Sequence, residues 1–359
     1  MNNKKFFLLL GLATLLFATS CDDDDDTIYG NWVEGAQFDG NKRGGAVSFT
    51  ITTDDGNETV YMGLGYNGSK DSESQYFSDF YSYSGGSSWT EQAPFPGDAR
   101  QDLFGFAING KGYIGCGYYG DTAEIYFSDV WEFDPAADSA SQWTQIADFP
   151  GGELTDLTSF VVNGKAYVTG GRYDYDGTRK DCYEFDPESK TFTKIGGMNY
   201  KRAGAFSFVI GNKAYVGGGY DSPYYVSQME CFDGETGEWL ENGSLRALQL
   251  ISDITDDIDE YDDAIDLRRR YATTFVVDGK GYITAGIGNS GILSDCWEYD
   301  PSTDIWTEKN DFEYNMISRY KANGFVLNGI PYMLAGQSGT GYLDDMWYFE
   351  PDEESDETD

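Results

Sequence analysis

Histidine is missing from this 359-residue sequence, and its absence excludes several kinds of chemistry. Without an imidazole there is no Ser-His-Asp or Cys-His catalysis, no histidine-ligated zinc, iron or copper, and no histidine proton shuttle. No other catalytic signature replaces it. We therefore expect no cofactor and no metal, and the residues alone do not decide whether the chain is an enzyme.

Basic residues are also scarce. The chain has 24 Lys and Arg against 62 Asp and Glu, for a formal charge of −38. A protein of this charge repels nucleic acid, so we exclude that partner. Many of the acids lie in three runs, at 22–26, 253–266 and 350–359. Runs of like charge are usually solvated.

Cysteine is rare and widely spaced. Beyond Cys21 there are four cysteines, about 50 to 65 residues apart and with no CxxC pair: Cys116, Cys182, Cys231 and Cys296. This spacing gives no support to a thiolate metal site or a redox motif. We expect these four to be buried free thiols.

Long hydrophobic runs are limited to one, at the N-terminus. Lys4 and Lys5 precede thirteen mostly apolar residues at 6–18, which are too few to span a bilayer. Residues 1–20 thus have the pattern of an export signal. The sequence Phe-Ala-Thr-Ser-Cys ending at Cys21 resembles a bacterial lipobox, although alanine stands where leucine is usual. Processing there would leave Cys21 as the lipidated first residue.

An acidic tether, residues 21–28, follows the signal. Its five aspartates resemble the signal that sends lipoproteins of Bacteroidota to the outer face of the outer membrane. In enterobacteria an aspartate here would instead favour the inner membrane, and a plain flexible tether is the simpler alternative. We expect an outer membrane lipoprotein, surface-exposed or facing the periplasm, whose contact with the membrane is the lipid on Cys21.

The rest of the chain is a sixfold repeat. Each unit has an apolar strand with a phenylalanine, a tight turn, and a strand with a tyrosine that ends in glycine. The tyrosines are Tyr61, Tyr113, Tyr167, Tyr215, Tyr282 and Tyr332. The phenylalanines are Phe49, Phe106, Phe160, Phe208, Phe275 and Phe325. Turn dipeptides such as Asn109-Gly110 and Asn163-Gly164 lie between them and favour two-residue hairpins.

Two further strands complete each unit. The third is typified by Val130-Trp131-Glu132-Phe133, and the fourth carries an aromatic residue such as Trp143 or Trp306. The sixth unit ends after its third strand, but Trp32, before the first unit, has the fourth-strand pattern. We therefore expect the N-terminal strand to complete the last sheet and leave no open edge.

Four-stranded units of about 50 residues with this glycine, tryptophan and tyrosine spacing resemble kelch repeats. The resemblance implies an all-β fold, a six-bladed kelch β-propeller over residues 29–351, closed by the N-terminal strand. An acidic tail, 352–359, follows it. The resemblance also implies that ligands bind on the face where the fourth strand joins the next first strand.

An arginine precedes the first-strand phenylalanine by six residues in five of the six units. These arginines are Arg43, Arg100, Arg202, Arg269 and Arg319, with Leu154 in the remaining unit. Around a ring they would form a basic collar that binds carboxylate, sulfate or phosphate. The alternative is that each pairs with an acid of the next blade.

Tyrosines follow the second strands on the same predicted face. The candidate ligand-binding tyrosines are Tyr66, Tyr118, Tyr173 and Tyr220. Tyrosine suits stacking on sugar rings and contact with proteins. Packing between neighbouring loops is the alternative.

One loop is about 20 residues longer than its equivalents. This insertion, residues 246–266, interleaves eight acids with isoleucines at the spacing of a short amphipathic helix. It contains no glycine, which disfavours a calcium loop. A lid or a partner surface remains the interpretation.

Two functions are left open. The first is an extracytoplasmic binding module for an anionic ligand, a carbohydrate or a partner protein. The second is enzymatic, because Val60 to Gly65 and Trp89 to Arg100 resemble the first blade of the kelch-type N-acetylneuraminate mutarotases. Sialic acid carries a carboxylate, so that resemblance implies a sugar epimerase whose substrate an arginine could bind.

Overall fold

A computed structural model describes residues 28–68, 76–120, 123–174, 177–240, 266–312 and 315–354. The predicted export signal, Cys21, the aspartate run, the insertion up to residue 265 and the last five residues lie outside the described residues. No helix in the described ranges is long and apolar enough to cross a membrane.

The described chain is almost entirely β-structure, with a single 3-10 turn at Ser139–Ser141. The strands of the first half are β1 (Asn31–Glu34), β2 (Val47–Thr52), β3 (Glu58–Gly63), β4 (Phe80–Tyr83), β5 (Thr90–Glu91), β6 (Phe104–Ile108), β7 (Lys111–Gly115), β8 (Tyr118–Gly120), β9 (Glu124–Tyr126), β10 (Val130–Phe133), β11 (Trp143–Gln145), β12 (Thr155–Val162), β13 (Lys165–Arg172), β14 (Asp181–Asp186) and β15 (Thr191–Gly197). These strands are short, and most alternate between buried and more exposed residues.

The second half repeats the same order. Its strands are β16 (Phe206–Ile210), β17 (Lys213–Gly217), β18 (Tyr220–Asp221), β19 (Tyr224–Tyr225), β20 (Glu230–Asp233), β21 (Glu238–Trp239), β22 (Arg269–Arg270), β23 (Thr273–Val277), β24 (Lys280–Thr284), β25 (Ile287–Gly288), β26 (Gly291–Ile292), β27 (Cys296–Asp300), β28 (Ile305–Lys309), β29 (Asn323–Leu327), β30 (Ile330–Gln337) and β31 (Tyr342–Glu350).

The described strands form six four-stranded antiparallel sheets and three small ones. In chain order the large sheets are sheet 1 (β2-β3-β4-β5), sheet 2 (β6-β7-β10-β11), sheet 3 (β12-β13-β14-β15), sheet 4 (β16-β17-β20-β21), sheet 5 (β23-β24-β27-β28) and sheet 6 (β29-β30-β31-β1). The small sheets β8-β9, β18-β19 and β22-β25-β26 are built from the segments between second and third strands, except that β22 lies in the loop that enters sheet 5.

The repeated phenylalanine and tyrosine are cross-strand neighbours in every large sheet. Each first-strand phenylalanine is in register with the second-strand tyrosine, from Phe49 with Tyr61 to Phe325 with Tyr332. Their rings stack with centroids 5.1 to 5.8 Å apart. Aromatic cross-strand pairs stabilise a sheet beyond the area they bury, so this pairing sets the register of all six hairpins.

Four of the predicted turns have the geometry that their dipeptides favour. Asn109-Gly110, Asn163-Gly164, Asp278-Gly279 and Asn328-Gly329 have positive φ at both residues. The Gly211 turn has positive φ at its first residue, which is the type II′ pattern. The first sheet differs, because its strands end at Thr52 and begin again at Glu58, which leaves a five-residue loop.

Sheet 6 is built from both ends of the described chain. Strand β1 pairs antiparallel with β31, with Trp32 opposite Phe349 and Glu34 opposite Trp347. The first strands of the sheets also contact one another in sequence from β2 to β29, and β29 contacts β2 again. Each first strand therefore contacts the first strands of two other sheets.

Close backbone approach explains the glycines that end the second strands. A Cβ at Gly170 would lie 2.8 Å from the Arg202 carbonyl oxygen, and this glycine has φ of +72°. The Gly218 position meets the Arg269 carbonyl in the same way. These glycines let the loop that enters the next sheet lie directly against the end of the second strand.

The four cysteines that the structure describes are free and buried, as predicted. Burial raises the pKa of each of these four thiols. A thiol that stays protonated is a poor nucleophile, so their role is packing.

Candidate ligand-binding site

The five predicted collar arginines are buried and already occupied. Their side chains are 0 to 1% exposed. Arg269 donates from Nη1 and Nη2 to the two carboxylate oxygens of Asp295, both at 2.6 Å, and Arg319 does the same with Asp345 at 2.6 and 2.7 Å. Arg43 pairs likewise with Asp79, and Arg100 with Asp129.

Each of these arginines also donates to a backbone carbonyl at the end of its second strand. The acceptors are Leu64, Cys116, Gly218, Ala285 and Ala335. The arginine thus ties together three segments of one repeat: the entering loop, the end of the second strand, and the carboxylate that precedes the third strand. In three repeats the same carboxylate accepts a hydrogen bond from the tryptophan two residues later.

The expectation of an exposed basic collar is therefore wrong for Arg43, Arg100, Arg202, Arg269 and Arg319. Their guanidinium groups are desolvated and neutralised by protein carboxylates. The pairing alternative is the one observed, but the acid belongs to the same sheet and not to the next one.

The fourth and third repeats vary this arrangement. Arg202 lacks the aspartate and pairs with Glu230 at 2.6 Å, and its Nε is a buried donor with no partner among the described residues. In the third repeat Leu154 replaces the arginine, and the aspartate, Asp181, pairs with Lys194 at 2.8 Å instead. The carboxylate has a basic partner in both cases.

The functional candidates lie two residues after the arginine position. There each repeat places one residue in the left-handed region, with φ between 55 and 65°: Gly45, Asp102, Asp156, Gly204, Tyr271 and Lys321. Together with the residue that follows each, they line one cavity of about 150 Å³, which we call the axial cavity. Every sheet contributes one segment to its wall.

A closed ring of backbone hydrogen bonds holds these six residues. Each amide donates to the carbonyl of the equivalent residue in the preceding repeat, and the first donates to the last. The donor–acceptor distances are 2.9 to 3.2 Å, from Gly45 N to Lys321 O through Lys321 N to Tyr271 O. All six ring residues thus have a positive φ, although only two of them are glycine.

The two glycines make room for neighbouring side chains. A Cβ on Gly45 would lie 2.5 Å from Asp102 Oδ1, and one on Gly204 would lie 2.6 Å from Tyr271 Cε1. Lys321 donates to Asp102 Oδ2 at 2.5 Å, and Arg172 Nε donates to Asp156 Oδ2 at 2.6 Å. The ring is therefore asymmetric in chemistry, although its backbone is sixfold.

Burial controls the protonation of this ring. It raises the pKa of Asp102 to about 6, against the opposing effect of Lys321, and Asp156 adds to the rise. Burial alone would lower the pKa of Lys321, but Asp102 and Tyr271 hold it above its ordinary value. Burial also raises the pKa of Tyr271, which keeps the phenol neutral. The site thus contains two salt bridges, and in one of them the carboxyl, Asp102, has a raised pKa.

The predicted tyrosines are not among the residues that line this cavity, but three of them pair with residues next to its wall. Tyr66, Tyr118 and Tyr220 are equivalent, because each pairs with the residue that precedes the ring residue of its repeat. Tyr66 also packs against Tyr76 at 4.6 Å between ring centroids. Tyr173 is displaced by one residue, is 44% exposed, and lies over Arg179. Mutual packing accounts for part of this tyrosine set, as the alternative allowed.

The sequence reasoning missed the ring residues and two cations beside them, Arg172 and Arg270. The signal was present, since the ring residues stand at a fixed offset from the arginine position in every repeat. Their identities vary from glycine to lysine, however, so a search for what the repeats share passes over them.

The Kelch motif family matches residues 154–199 and 268–312, which contain sheets 3 and 5 with their entering loops. The chain therefore carries kelch repeats in these two ranges. The protein in the solved "Structure of YjhT" has a similar fold. The superposition covers 86% of the present chain and 95% of the YjhT chain, with a TM-score of 0.64 and 18% sequence identity. At this identity the likeness concerns the fold alone, and it places this kelch-repeat chain among propellers.

Curated relatives match about half of this kelch-repeat chain. An N-acetylneuraminate epimerase of Escherichia coli O1:K1 is 31% identical over 208 residues, 53% of this chain and 52% of its own length. The same protein of Shigella flexneri serotype 5b matches equally. An F-box/kelch-repeat protein of Arabidopsis thaliana is 28% identical over 44% of the chain and 42% of its own length. The chain spans about half the length of these relatives.

Proposed function

We propose that this kelch-repeat protein is a binding module that holds a small sugar or anionic ligand in the axial cavity. The observation that carries the proposal is the carboxylate of Asp156. Its side chain is fully buried, and Oδ1 has no hydrogen-bond partner among the described residues although Oδ2 binds Arg172. A buried carboxylate oxygen without a donor is costly, and a ligand hydroxyl would remove that cost.

The surroundings suit a polar, ring-shaped ligand. The cavity wall combines Asp102, Asp156, Tyr271 and Lys321 with small apolar residues such as Ala205 and Ala322. Tyr66, Tyr118 and Tyr220 pair with residues next to the cavity wall, and we propose that these three, with Tyr173, offer flat faces of the kind that stack on sugars. Hydroxyl recognition by carboxylates with aromatic contact on one side is the arrangement we propose here.

Asp156→Asn tests this function. The substitution keeps the side chain's size but removes the charge and one acceptor, so we expect the affinity for the bound sugar to fall at least about tenfold. Isothermal titration with a panel of neutral sugars, uronic acids and N-acetylneuraminate measures it. Asp278→Asn is the matched control, because it makes the same change in an exposed turn that favours asparagine.

Unchanged affinity in Asp156→Asn, with the melting temperature also unchanged, would rule out the axial cavity as the site. A wild-type protein that binds nothing in the panel would indicate a protein partner in place of a small ligand.

A second candidate is epimerisation of a sugar acid at the same cavity. The match to N-acetylneuraminate epimerases over about half of the chain favours it. Asp102, whose pKa is raised to about 6, can accept a proton and return it near neutral pH, and the adjacent Lys321 ammonium supplies a fixed positive charge beside it. The same samples decide it by NMR, since catalysis would accelerate the interconversion of the anomers, and Asp102→Asn would remove the acceleration.

We further propose that the six sheets are the blades of one closed six-bladed propeller. Three features support the ring: the cyclic contacts of the first strands, the closed chain of backbone hydrogen bonds at the axial cavity, and the pairing of β1 with β31. In this arrangement the N-terminal strand closes the last blade, and the cavity lies on the axis.

We also propose that the propeller is carried outside the cytoplasm by a lipid on Cys21. The motif at residues 17–21 and the preceding apolar run support this. Cys21→Ala should abolish incorporation of labelled palmitate and release the protein from the membrane fraction, because the thiol is the acceptor of the lipid. Labelling that persists in the variant would exclude Cys21.

The aspartate run bears on which face of the membrane the protein occupies. On whole cells, added protease should cleave the wild-type protein. Replacing Asp22 to Asp26 by alanine should protect the protein from that cleavage. Unchanged accessibility would mean that the run is only a tether.

A further inference from the structure

We infer that Arg270 binds the carboxylate of the ligand, and that the ligand is therefore a sugar acid or a related hydroxy acid. The inference rests on the proposed function, because it names the charged end of the molecule held in the axial cavity. It assigns this role to a residue next to a predicted collar arginine, and not to the collar itself.

Arg270 differs from the other cations around the cavity in having no acidic partner among the residues that the structure describes. Lys321 is paired with Asp102, and Arg172 with Asp156. The guanidinium of Arg270 makes no ion pair or hydrogen bond with any residue in the described ranges, and its Nε is a buried donor without an acceptor. Its contacts are with aromatic rings. Among the described cations beside the cavity it is the one that a ligand anion would neutralise.

The position of Arg270 is set by backbone and by stacking. Its strand β22 pairs with β25, which places Arg270 opposite Ile287. The guanidinium carbon lies 4.9 Å from the centroid of the Tyr220 ring and 5.3 Å from that of Tyr271. Arg270 is not itself a lining residue of the axial cavity, but Tyr271, on which its guanidinium stacks, is one.

The same position is uncharged in the other five repeats. The equivalents are Gly44, Gln101, Thr155, Ala203 and Tyr320. The cation is therefore a departure from the repeat at one place on the ring. A sixfold packing role does not require it, which distinguishes Arg270 from the five buried arginines.

Carboxylate is the anion that this geometry favours. A guanidinium that packs on aromatic rings keeps its N–H groups in its own plane, where a planar carboxylate accepts two of them side by side. The chain carries a formal charge of −38, so a free anion is repelled over most of the surface. One unneutralised arginine beside a polar cavity accordingly predicts one carboxylate per chain, with the hydroxyl groups of the same ligand directed toward Asp156.

Paired ligands test this assignment on the full mature chain. Isothermal titration compares glucuronate with glucose and galacturonate with galactose, and includes N-acetylneuraminate. We expect the wild type to bind the acid at least about tenfold more tightly than the neutral sugar. Arg270→Gln should remove that preference and leave the affinity for the neutral sugar unchanged. Arg270→Lys should retain part of it, and Arg268→Gln, which alters a surface pair with Asp266, should change nothing.

The outcomes separate the two proposals. Equal affinity of the wild type for acid and neutral sugar, or an undiminished acid preference in a folded Arg270→Gln, overturns the role of Arg270 but leaves the binding function standing. Binding of none of these probes overturns both. Inorganic phosphate that competes at lower concentration than acetate would make the site one for phosphate and also overturn the carboxylate assignment.

Discussion

Arg319→Ala lowers the free energy of unfolding by about 3–5 kcal/mol, the expected effect of removing one partner of a buried ion pair. The arginine is fully buried and binds both oxygens of Asp345, which is itself 25% exposed on its side chain. Its loss removes two donors from Asp345, which keeps the indole N–H of Trp347, and removes the Arg319 donor from the Ala335 carbonyl. Urea unfolding of the two proteins at pH 7 measures the difference.

The pH dependence of this difference has a definite sign. Burial by itself would raise the pKa of Asp345, but the hydrogen bonds from Arg319 hold it below its ordinary value of 3.8. A carboxyl with a lowered pKa in the folded state contributes stability that is present above pH 3.8 and is lost as the pH falls below it. The gap between wild type and Arg319→Ala should therefore shrink only in acid.

Two variants serve as controls for this prediction. Arg268→Ala removes a partly exposed pair with Asp266 and should cost no more than about 1 kcal/mol. Arg319→Lys keeps the positive charge but loses the contact with both carboxylate oxygens. Its decrease in the free energy of unfolding should therefore lie between those of Arg268→Ala and Arg319→Ala. If Arg319→Ala instead lost ligand binding with no loss of stability, the arginine would belong to the collar after all.

Trp32→Ala should lower the free energy of unfolding by about 3–5 kcal/mol, because it empties a large buried site. Trp32 is 1% exposed and lies between sheets 5 and 6. Its ring centroid is 4.6 Å from that of Phe349, 5.5 Å from Phe312 and 6.3 Å from Phe275. Strand β1 loses its principal apolar contact, and the edge of β31 loses its cover.

The measurement is again equilibrium unfolding, with Trp32→Phe and Tyr29→Ala as companions. Phenylalanine refills most of the volume, and the indole Nε1 has no partner among the described residues, so Trp32→Phe should cost clearly less. Tyr29 is 43% exposed, and its removal should be within about 0.5 kcal/mol of neutral. A Trp32→Ala protein as stable as the wild type would mean that the last sheet does not depend on the N-terminal strand.

The repeat itself could be predicted because local sequence patterns determine it. A phenylalanine strand, a turn dipeptide and a tyrosine strand each need only nearest neighbours along the chain, and the register of Phe160 with Tyr167 follows from the turn between them. Burial of the four later cysteines followed equally from their apolar context. The Trp32 pattern even indicated a strand whose partner lies more than 300 residues away.

The role of the five arginines could not be predicted in this way. Their recurrence was correctly seen, but recurrence at one position has the same appearance whether the side chain faces a ligand or an aspartate of its own sheet. What distinguishes the two is the distance from Arg269 to Asp295, 26 residues later in the chain, and a pattern carries no distances. The arginine that the repeats share has a packing role, because every repeat must be held together in the same way.

By itself, then, the sequence determined the kind of sheet, the number of units and the aromatic residues that pack between strands, because period-two alternation and turn chemistry act over a few residues. Only the tertiary structure decided which polar residues meet at the axis. Asp102, Asp156, Tyr271 and Lys321 come from four different repeats and converge because the first strands of all six sheets lie side by side. Within the described part of the chain Arg270 has no acidic partner, and its neighbours there are two tyrosines.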